Sequence, residues 1–377
     1  MRLLRVKFGL FTVVLNLLLM LAVQSKATAQ KNIPTSKSTD VIALQSQQLS
    51  QKHLLAESIK PTVVRIVNGC VGKAYWSKNG KTYNLAAVGS GSGYFVNPNG
   101  YIVTNAHVIE SSKNENYCLS LLFKNFVEQI AEESGENPQK LLVNSVALQK
   151  LVQESDPTAF KLVKLVFLTN GEALPFETIV SGALAGRGKD VAIVKVNVKN
   201  APILKLADSN KVELLEHVTV AGYPIAGDSD AILGDQSRYI PTITDGIISA
   251  KKYQKDGLPV LQISAPTTHG SSGAPAVNDR GEVVGIVTFG GNQANGQFMS
   301  GFSFIVPSNT IMEFVQQAGI VNHEGLVNHK YREGLQLYSK GKYQMALQKF
   351  QEVKRLFRQH SEVEQWMQNC QQAIAQK

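Results

Sequence analysis

The sequence predicts a mainly β chain that ends in a small all-α module. Short apolar runs, among them Tyr101 to Val108, Leu258 to Ile263 and Val283 to Val287, recur between turns rich in Gly, Asn and Pro, the pattern of strands joined by tight loops. One interruption has a helical period, with Phe123, Phe126, Val127 and Ile130 at offsets 0, 3, 4 and 7. The final stretch, Tyr331 to Val353, lacks strand alternation and keeps a strong helical period. A length of 377 residues allows two or three domains, and 44% hydrophobic residues suffice for a sizeable core.

In chain order, residues 1–29 read as a secretory signal peptide. Arg2, Arg5 and Lys7 make a basic start, Phe8 to Val23 an apolar run, and Ala27-Thr28-Ala29 a small-residue cleavage site. The competing reading is a membrane anchor, but the run is short for a spanning helix and no basic flank follows it. Uncleaved, this segment is the one expected contact with a membrane; either way the remainder is exported, to a periplasmic or extracellular space. Residues 30–52, rich in Ser, Thr, Gln and Lys, read as a flexible tether. From His53 a short helical turn, a break at Pro61 and a first strand are expected.

The Gly89-Ser90-Gly91-Ser92-Gly93 run that follows has its third glycine one position early for a dinucleotide loop, and no helix comes after it. It reads as a barrel hairpin. Asn97-Pro98-Asn99-Gly100 closes a turn into the strand that carries His107. Two inserted helices are expected over about 121–156, the second opened by Asn137 and Pro138; they decorate the fold, shape access to a cleft or make an oligomer contact. Strands resume at Lys161 to Leu168 and, after Asp190, from Lys205 to Val287; Ile311 to Ile320 reads as a closing helix.

The chemistry gathers at Thr267 to Val277, TTHGSSGAPAV, where Ser272 stands on a sharp loop between apolar runs. A serine hydroxyl needs a base to take its proton, and the tetrahedral intermediate needs donors for its oxyanion. The glycine at 270 lets the N–H groups of Gly270 and Ser272 turn to one point. His107 at the mouth of a strand and Asp190 at the start of another supply a base and its orienting carboxylate. The order His107, Asp190, Ser272 is one of three in which such triads occur.

With these motifs, T-N-A-H-V, D-V-A-I-V-K and G-S-S-G-A-P, together with Thr242 to Ala250 and Gly301 to Ser308, the chain resembles the trypsin-like serine proteases of the HtrA/Deg type. The resemblance covers about residues 53–318, within a protease domain expected over 53–320, and implies a two-barrel chymotrypsin-like fold, the helices lying as an insertion in its first barrel. It makes His107 the general base, Asp190 its partner, Ser272 the nucleophile and Gly270 with Ser272 the oxyanion donors. It implies polypeptide substrates, unfolded or damaged proteins among them. Ala274 stands where the family usually has glycine, and His269 and Ser271 replace more usual residues. The resemblance implies that residues just upstream of Ser272 and Val287 to Gly290 wall the pocket for the side chain before the scissile bond. Ile263 to Pro266 hold no acidic residue, so a small or medium aliphatic side chain is expected there.

Residues 324–377 resemble a tetratricopeptide repeat: Gly334, Leu337, Tyr343, Ala346, Phe350 and Val353 keep its spacing. One repeat is too little to stand alone, so the module is expected to lean on the first domain, a partner or a second copy. It reads as a peptide-docking groove or as a capping hairpin.

Composition narrows the rest. Arg2, Arg5, Lys7 and Lys26 carry four of the nine net positive charges with no acidic residue among them, which leaves +5 on the exported part, with no basic patch for nucleic acid. Cys70 and Cys118 flank the His107 segment and can be bridged, with Cys370 left over; the alternative is three free thiols. The seven histidines are dispersed and H-E-x-x-H is missing, so neither metal nor cofactor is expected. Against the protease reading stands a silent or latent scaffold that binds partners through the repeat.

Overall fold

The computed structural model describes residues 50–227, 233–292 and 298–376. The expected signal peptide and all but the end of the tether lie outside the described residues. That end is helical: the Ser50 hydroxyl accepts the His53 N–H (3.1 Å) and caps α1, Gln51–Ile59, two residues inside the predicted tether. A 3-10 turn, Lys60–Thr62, then places Pro61 where its missing N–H costs nothing and feeds the first strand.

Six strands form a closed barrel: β1 (Val63–Trp76), β2 (Lys81–Asn97), β3 (Tyr101–Thr104), β4 (Ser155–Phe167), β5 (Ala173–Ser181) and β6 (Ala192–Val196), in the order β1-β2-β3-β6-β5-β4. Alternation sends Ile66, Phe95, Ile102, Val166 and Val194 inward, each essentially buried. A second sheet holds β7 (Lys205–Leu206), β8 (His217–Gly222), β9 (Thr242–Tyr253), β10 (Pro259–Ile263), β11 (Pro275–Val277), β12 (Glu282–Asn292) and β13 (Phe298–Pro307). The ring β11-β8-β9-β10-β13-β12 is closed by β11 pairing with β12, and β7 adds to β12 in parallel. The described chain is therefore two six-stranded barrels of the chymotrypsin-like kind.

The insertion has three helices rather than two: α2 (Glu115–Ser134), α3 (Pro138–Val143) and α4 (Ser145–Glu154). The break is Asn144, whose extended backbone ends α3 while its side chain accepts the Ala147 N–H (3.1 Å) and caps α4. The start moves back to 115 because Asn114 caps α2 through the N–H groups of Asn116 and Tyr117. A Cys70–Cys118 disulfide ties α2 to β1, and Phe126 packs edge-on to Tyr83 of β2 at 5.2 Å. Neither α3 nor α4 has a fully buried residue.

Helix α5, Ser308–Gln317, closes the second barrel and begins where Pro307 leaves the strand, three residues before the expected start. Three further helices follow: α6 (Leu326–Ser339), α7 (Tyr343–Leu356) and α8 (Val363–Ala375). Gly334 permits the closest approach, since a Cβ there would meet the Phe350 ring at 2.6 Å. The module leans on the first barrel. Asn328 accepts from Ile203 N–H (3.1 Å) and donates to Ile203 C=O (2.8 Å), Asn200 donates to the Leu356 carbonyl (3.2 Å), and Trp366 Nε1 donates to Glu57 of α1 (3.3 Å). One apolar cluster runs without interruption from Ile66 and Phe95 to Tyr331, Phe350 and Trp366.

Candidate active site

His107 opens a 3-10 turn, His107–Ser112, just beyond β3, and Asp190 lies in the connection that precedes β6. Asn105 fixes that meeting by donating to the Asp190 carbonyl at 2.7 Å. The Asp190 side chain is fully buried, and a carboxylate there needs donors. It has three: His107 N–H to Oδ1 (3.0 Å), His107 Nδ1 to Oδ2 (2.7 Å) and Thr288 Oγ1 to Oδ2 (2.6 Å). With Nδ1 donating to a carboxylate, the free lone pair of the imidazole is on Nε2. The histidine side chain remains 36% exposed, open to the crevice.

Ser272 comes from the second barrel, on the loop between β10 and β11. Ser271 N–H bonds the Thr268 carbonyl at 3.0 Å, and Gly270 has φ +91 while His269 is not among the positive-φ residues. That combination is a type II turn, which demands glycine at its third position. Glycine is doubly required, since a Cβ would meet Tyr223 O at 2.4 Å. Around the turn each backbone carbonyl has a donor: His269 O takes Ile225 N–H (2.8 Å), Gly270 O the Ser92 hydroxyl (2.8 Å), Ser271 O Ala274 N–H (2.9 Å) and Ser272 O Ser92 N–H (2.7 Å). Gly273 N–H donates to Val287 O at 2.8 Å. Among the described residues the N–H groups of Gly270 and Ser272 have no partner, so the loop offers two donors from alternate peptides. In a trans peptide the N–H points opposite to the C=O. His269 O and Ser271 O are both anchored, which fixes the direction of both donors.

The Ser272 hydroxyl donates to the Thr288 carbonyl at 3.4 Å, and no hydrogen bond joins it to His107 among the described residues. Thr288 thus touches both halves of the site, its carbonyl toward Ser272 and its hydroxyl on Asp190. Sequence reading placed it only in the wall of the side-chain pocket and missed its bond to Asp190. Its signal is a hydroxyl within the apolar run Val283 to Val287 and beyond, 4% exposed, which must find a partner inside. Ala274, the departure from the usual glycine, is fully buried, and its methyl occupies the space that a Cβ on Gly222 would need (2.7 Å). Its N–H serves Ser271 O, so the methyl is absorbed by Gly222 with the loop intact. No group of three or more His, Cys, Asp or Glu able to hold a metal occurs among the described residues.

A family model for the trypsin-like peptidase domain matches residues 91–286, more than half of the chain and all three of these residues. The chain belongs to the trypsin-like peptidase domain family. Among its curated relatives, a serine protease HtrA-like of Staphylococcus epidermidis is 30% identical over 164 residues, 41% of this chain and 26% of that protein. A probable periplasmic serine endoprotease DegP-like of Pseudomonas putida is 35% identical over 131 residues, 34% and 24% of the two chains. Serine protease HTRA1A of Danio rerio is 25% identical over 273 residues, 70% and 40%. The chain thus spans about a quarter of the length of the first relatives it matches. A solved HtrA-type protease, AlgW with tripeptide, is similar with a TM-score of 0.44 and 18% identity over 71% of this chain and 62% of that one.

Proposed function

We propose that the protein is an exported serine endopeptidase of the HtrA/Deg type that cleaves unfolded or damaged polypeptides through an acyl-enzyme. The loop at 268–274 carries the reading: the carbonyls of Thr268 through Ser272 are all bound, and its two spare N–H groups belong to Gly270 and to the serine itself. Ser272 Oγ attacks the substrate carbonyl carbon while His107 Nε2 takes its proton, and Asp190 holds the imidazole in the tautomer that can do so. The new oxyanion accepts from Gly270 and Ser272 N–H. His107 returns the proton to the leaving amine as the C–N bond breaks; water, activated by the same histidine, then releases the acid. The reaction closes without metal or cofactor.

In the stretch upstream of Ser272, Ile263 and Ala265 are fully buried, and the Thr267 and Ser303 hydroxyls bond each other at 2.6 Å. A stretch of this neutral kind supports a preference for small or medium aliphatic side chains. Export is supported by the charged and apolar start of the sequence, the Cys70–Cys118 disulfide and the periplasmic description of Pseudomonas relatives. The C-terminal helices act as a tetratricopeptide-like brace. The side that meets α1 and the first barrel is already occupied, so a partner would have to use the outer side.

The orientation of the Ser272 hydroxyl favours a second reading, a resting enzyme in which the serine turns to His107 only when substrate fills the crevice. Digestion of unfolded casein by residues 30–377 tests both. The enzyme is expected to cut after aliphatic residues, and Ser272→Ala to lose roughly 10⁶-fold in kcat. Equal digestion by the two proteins would end the protease reading, and a lag abolished by peptide would select the resting form.

A further inference from the structure

Ser92 lies in the glycine-serine run of β2, which the sequence marks only as a hairpin. It is fully buried, 0% exposed, and each of its hydrogen-bonding groups serves the crevice. Its N–H donates to Ser272 O (2.7 Å), its hydroxyl donates to Gly270 O (2.8 Å) and accepts Tyr223 N–H (2.9 Å), and its carbonyl accepts the Thr104 hydroxyl (2.8 Å). The glycines around it are there for clearance. A Cβ on Gly91 would meet Val108 at 2.6 Å and Ser272 O at 3.2 Å, and one on Gly273 would meet Ser92 O at 2.0 Å.

We infer that Ser92 is a positioning residue for the oxyanion site, an inference that rests on reading Ser272 as the nucleophile. The four peptides from His269 to Gly273 alternate. Two carry the spare N–H groups and are anchored through their own carbonyls by Ile225 and Ala274, both in the second barrel. The other two have their carbonyls held by Ser92, from the first barrel, while their N–H groups hold Thr268 O and Val287 O. Gly270 and Gly273 both sit at positive φ, so this loop has glycine freedom on either side of Ser272. The Ser92 bonds remove that freedom. Through Tyr223 N–H the same hydroxyl also steadies the segment whose Ile225 holds the His269 carbonyl. Through Thr104 the residue sets the strand that delivers His107 against the loop that delivers Ser272. Ser92 touches neither substrate nor the Ser272 hydroxyl and acts through the backbone of the loop.

Removing the hydroxyl leaves Gly270 O unpaired in a dry interior and loosens a peptide then held, among the described residues, only through Ser271 N–H on Thr268 O. The chemical step suffers while ground-state binding does not, because the two donors matter only once the oxyanion forms. The test uses residues 30–377 as wild type, Ser92→Ala, Ser92→Cys and Ser272→Ala, with active sites counted by a fluorophosphonate probe. For Ser92→Ala, kcat per titrated site is expected to fall about tenfold to a hundredfold. KM should stay within about twofold. Affinity for a peptide boronic acid, whose tetrahedral adduct places an oxygen on Gly270 and Ser272 N–H, should fall by the same factor as kcat. Ser92→Cys keeps the side chain and weakens the donor, and its kcat should lie between the two. Wild-type kcat and boronate affinity per titrated site in both variants, with only fewer sites or a lower Tm, would show that Ser92 merely packs and would overturn the inference. If the wild type takes no probe, or Ser272→Ala takes it equally, the protease reading itself fails and this inference with it.

Discussion

Two buried polar places in this molecule are built on opposite rules. In the loop at 268–274 the carbonyls of Thr268 through Ser272 each have a donor, while the N–H groups of Gly270 and Ser272 are left without a partner among the described residues. In the C-terminal module His360, 3% exposed and packed on Tyr331 at 4.3 Å between ring centroids, has no hydrogen-bond partner for either ring nitrogen among the described residues. The first place is specified by direction and the second by shape. Chemistry requires the former, since hydrogen bonds fix where a donor points. A module that has only to brace the first barrel can tolerate the latter, because apolar contact over Phe350 and Trp366 outweighs a few unpaired atoms.

The comparison can be broken most severely at Asp190. Asp190→Asn keeps the volume but replaces one acceptor oxygen by a donor, so the imidazole turns to the wrong tautomer. The expected loss in kcat is about 10⁴-fold with little change in Tm. Parallel loss of folding by circular dichroism would mean that the carboxylate is structural. In the module, Trp366→Ala removes a side chain 6% exposed that stacks on Phe350 (6.0 Å) and meets Tyr338 edge-on (5.0 Å). It should cost about 3–5 kcal/mol in urea unfolding, with kcat per active site unchanged for the protein that remains folded. A fall in kcat would make the module part of the catalytic machinery instead of its brace.

The smallest expected effect is one of pH. Burial pushes the His360 pKa down from the ordinary value near 6.5 to about 3. Between those values the unfolded chain binds a proton that the folded chain refuses, so stability is complete above about pH 6.5 and falls as pH drops toward 3. Glu362 nearby has the opposite sign: burial raises its pKa, and its contribution is present at low pH and lost as pH rises through that raised value. The histidine shift is the larger. His360→Phe, which keeps a ring against Tyr331, should flatten the acid limb of Tm measured from pH 7 to 4. An unchanged limb would place the acid sensitivity elsewhere.

The three residues proposed to carry the reaction could be picked out in the sequence because each stands in a connection beside a strand, and glycine at 270 is demanded by a positive φ. The two-barrel architecture followed from resemblance to a family, since alternation along single strands does not say which strands close a ring. Thr288 and Ser92 were not legible. Thr288 meets Asp190 across 98 residues of sequence and Ser92 meets Gly270 across 178, and their roles exist only where the barrels meet. The inserted helices were seen by their period, but not the break at Asn144, where a polar side chain chose to cap one helix over continuing another. The lean of the module on the first barrel was one of several open choices, decided by Asn328, Asn200 and Trp366, contacts that no local pattern announces.

The most direct test of the central claim is to map the adduct of a fluorophosphonate probe on folded residues 30–377 by peptide mass spectrometry. One probe molecule per chain on the peptide that contains Ser272, with its rate cut sharply in His107→Ala, is the predicted result. An equally folded protein that takes no probe at Ser272, with or without an unfolded polypeptide present, would contradict it.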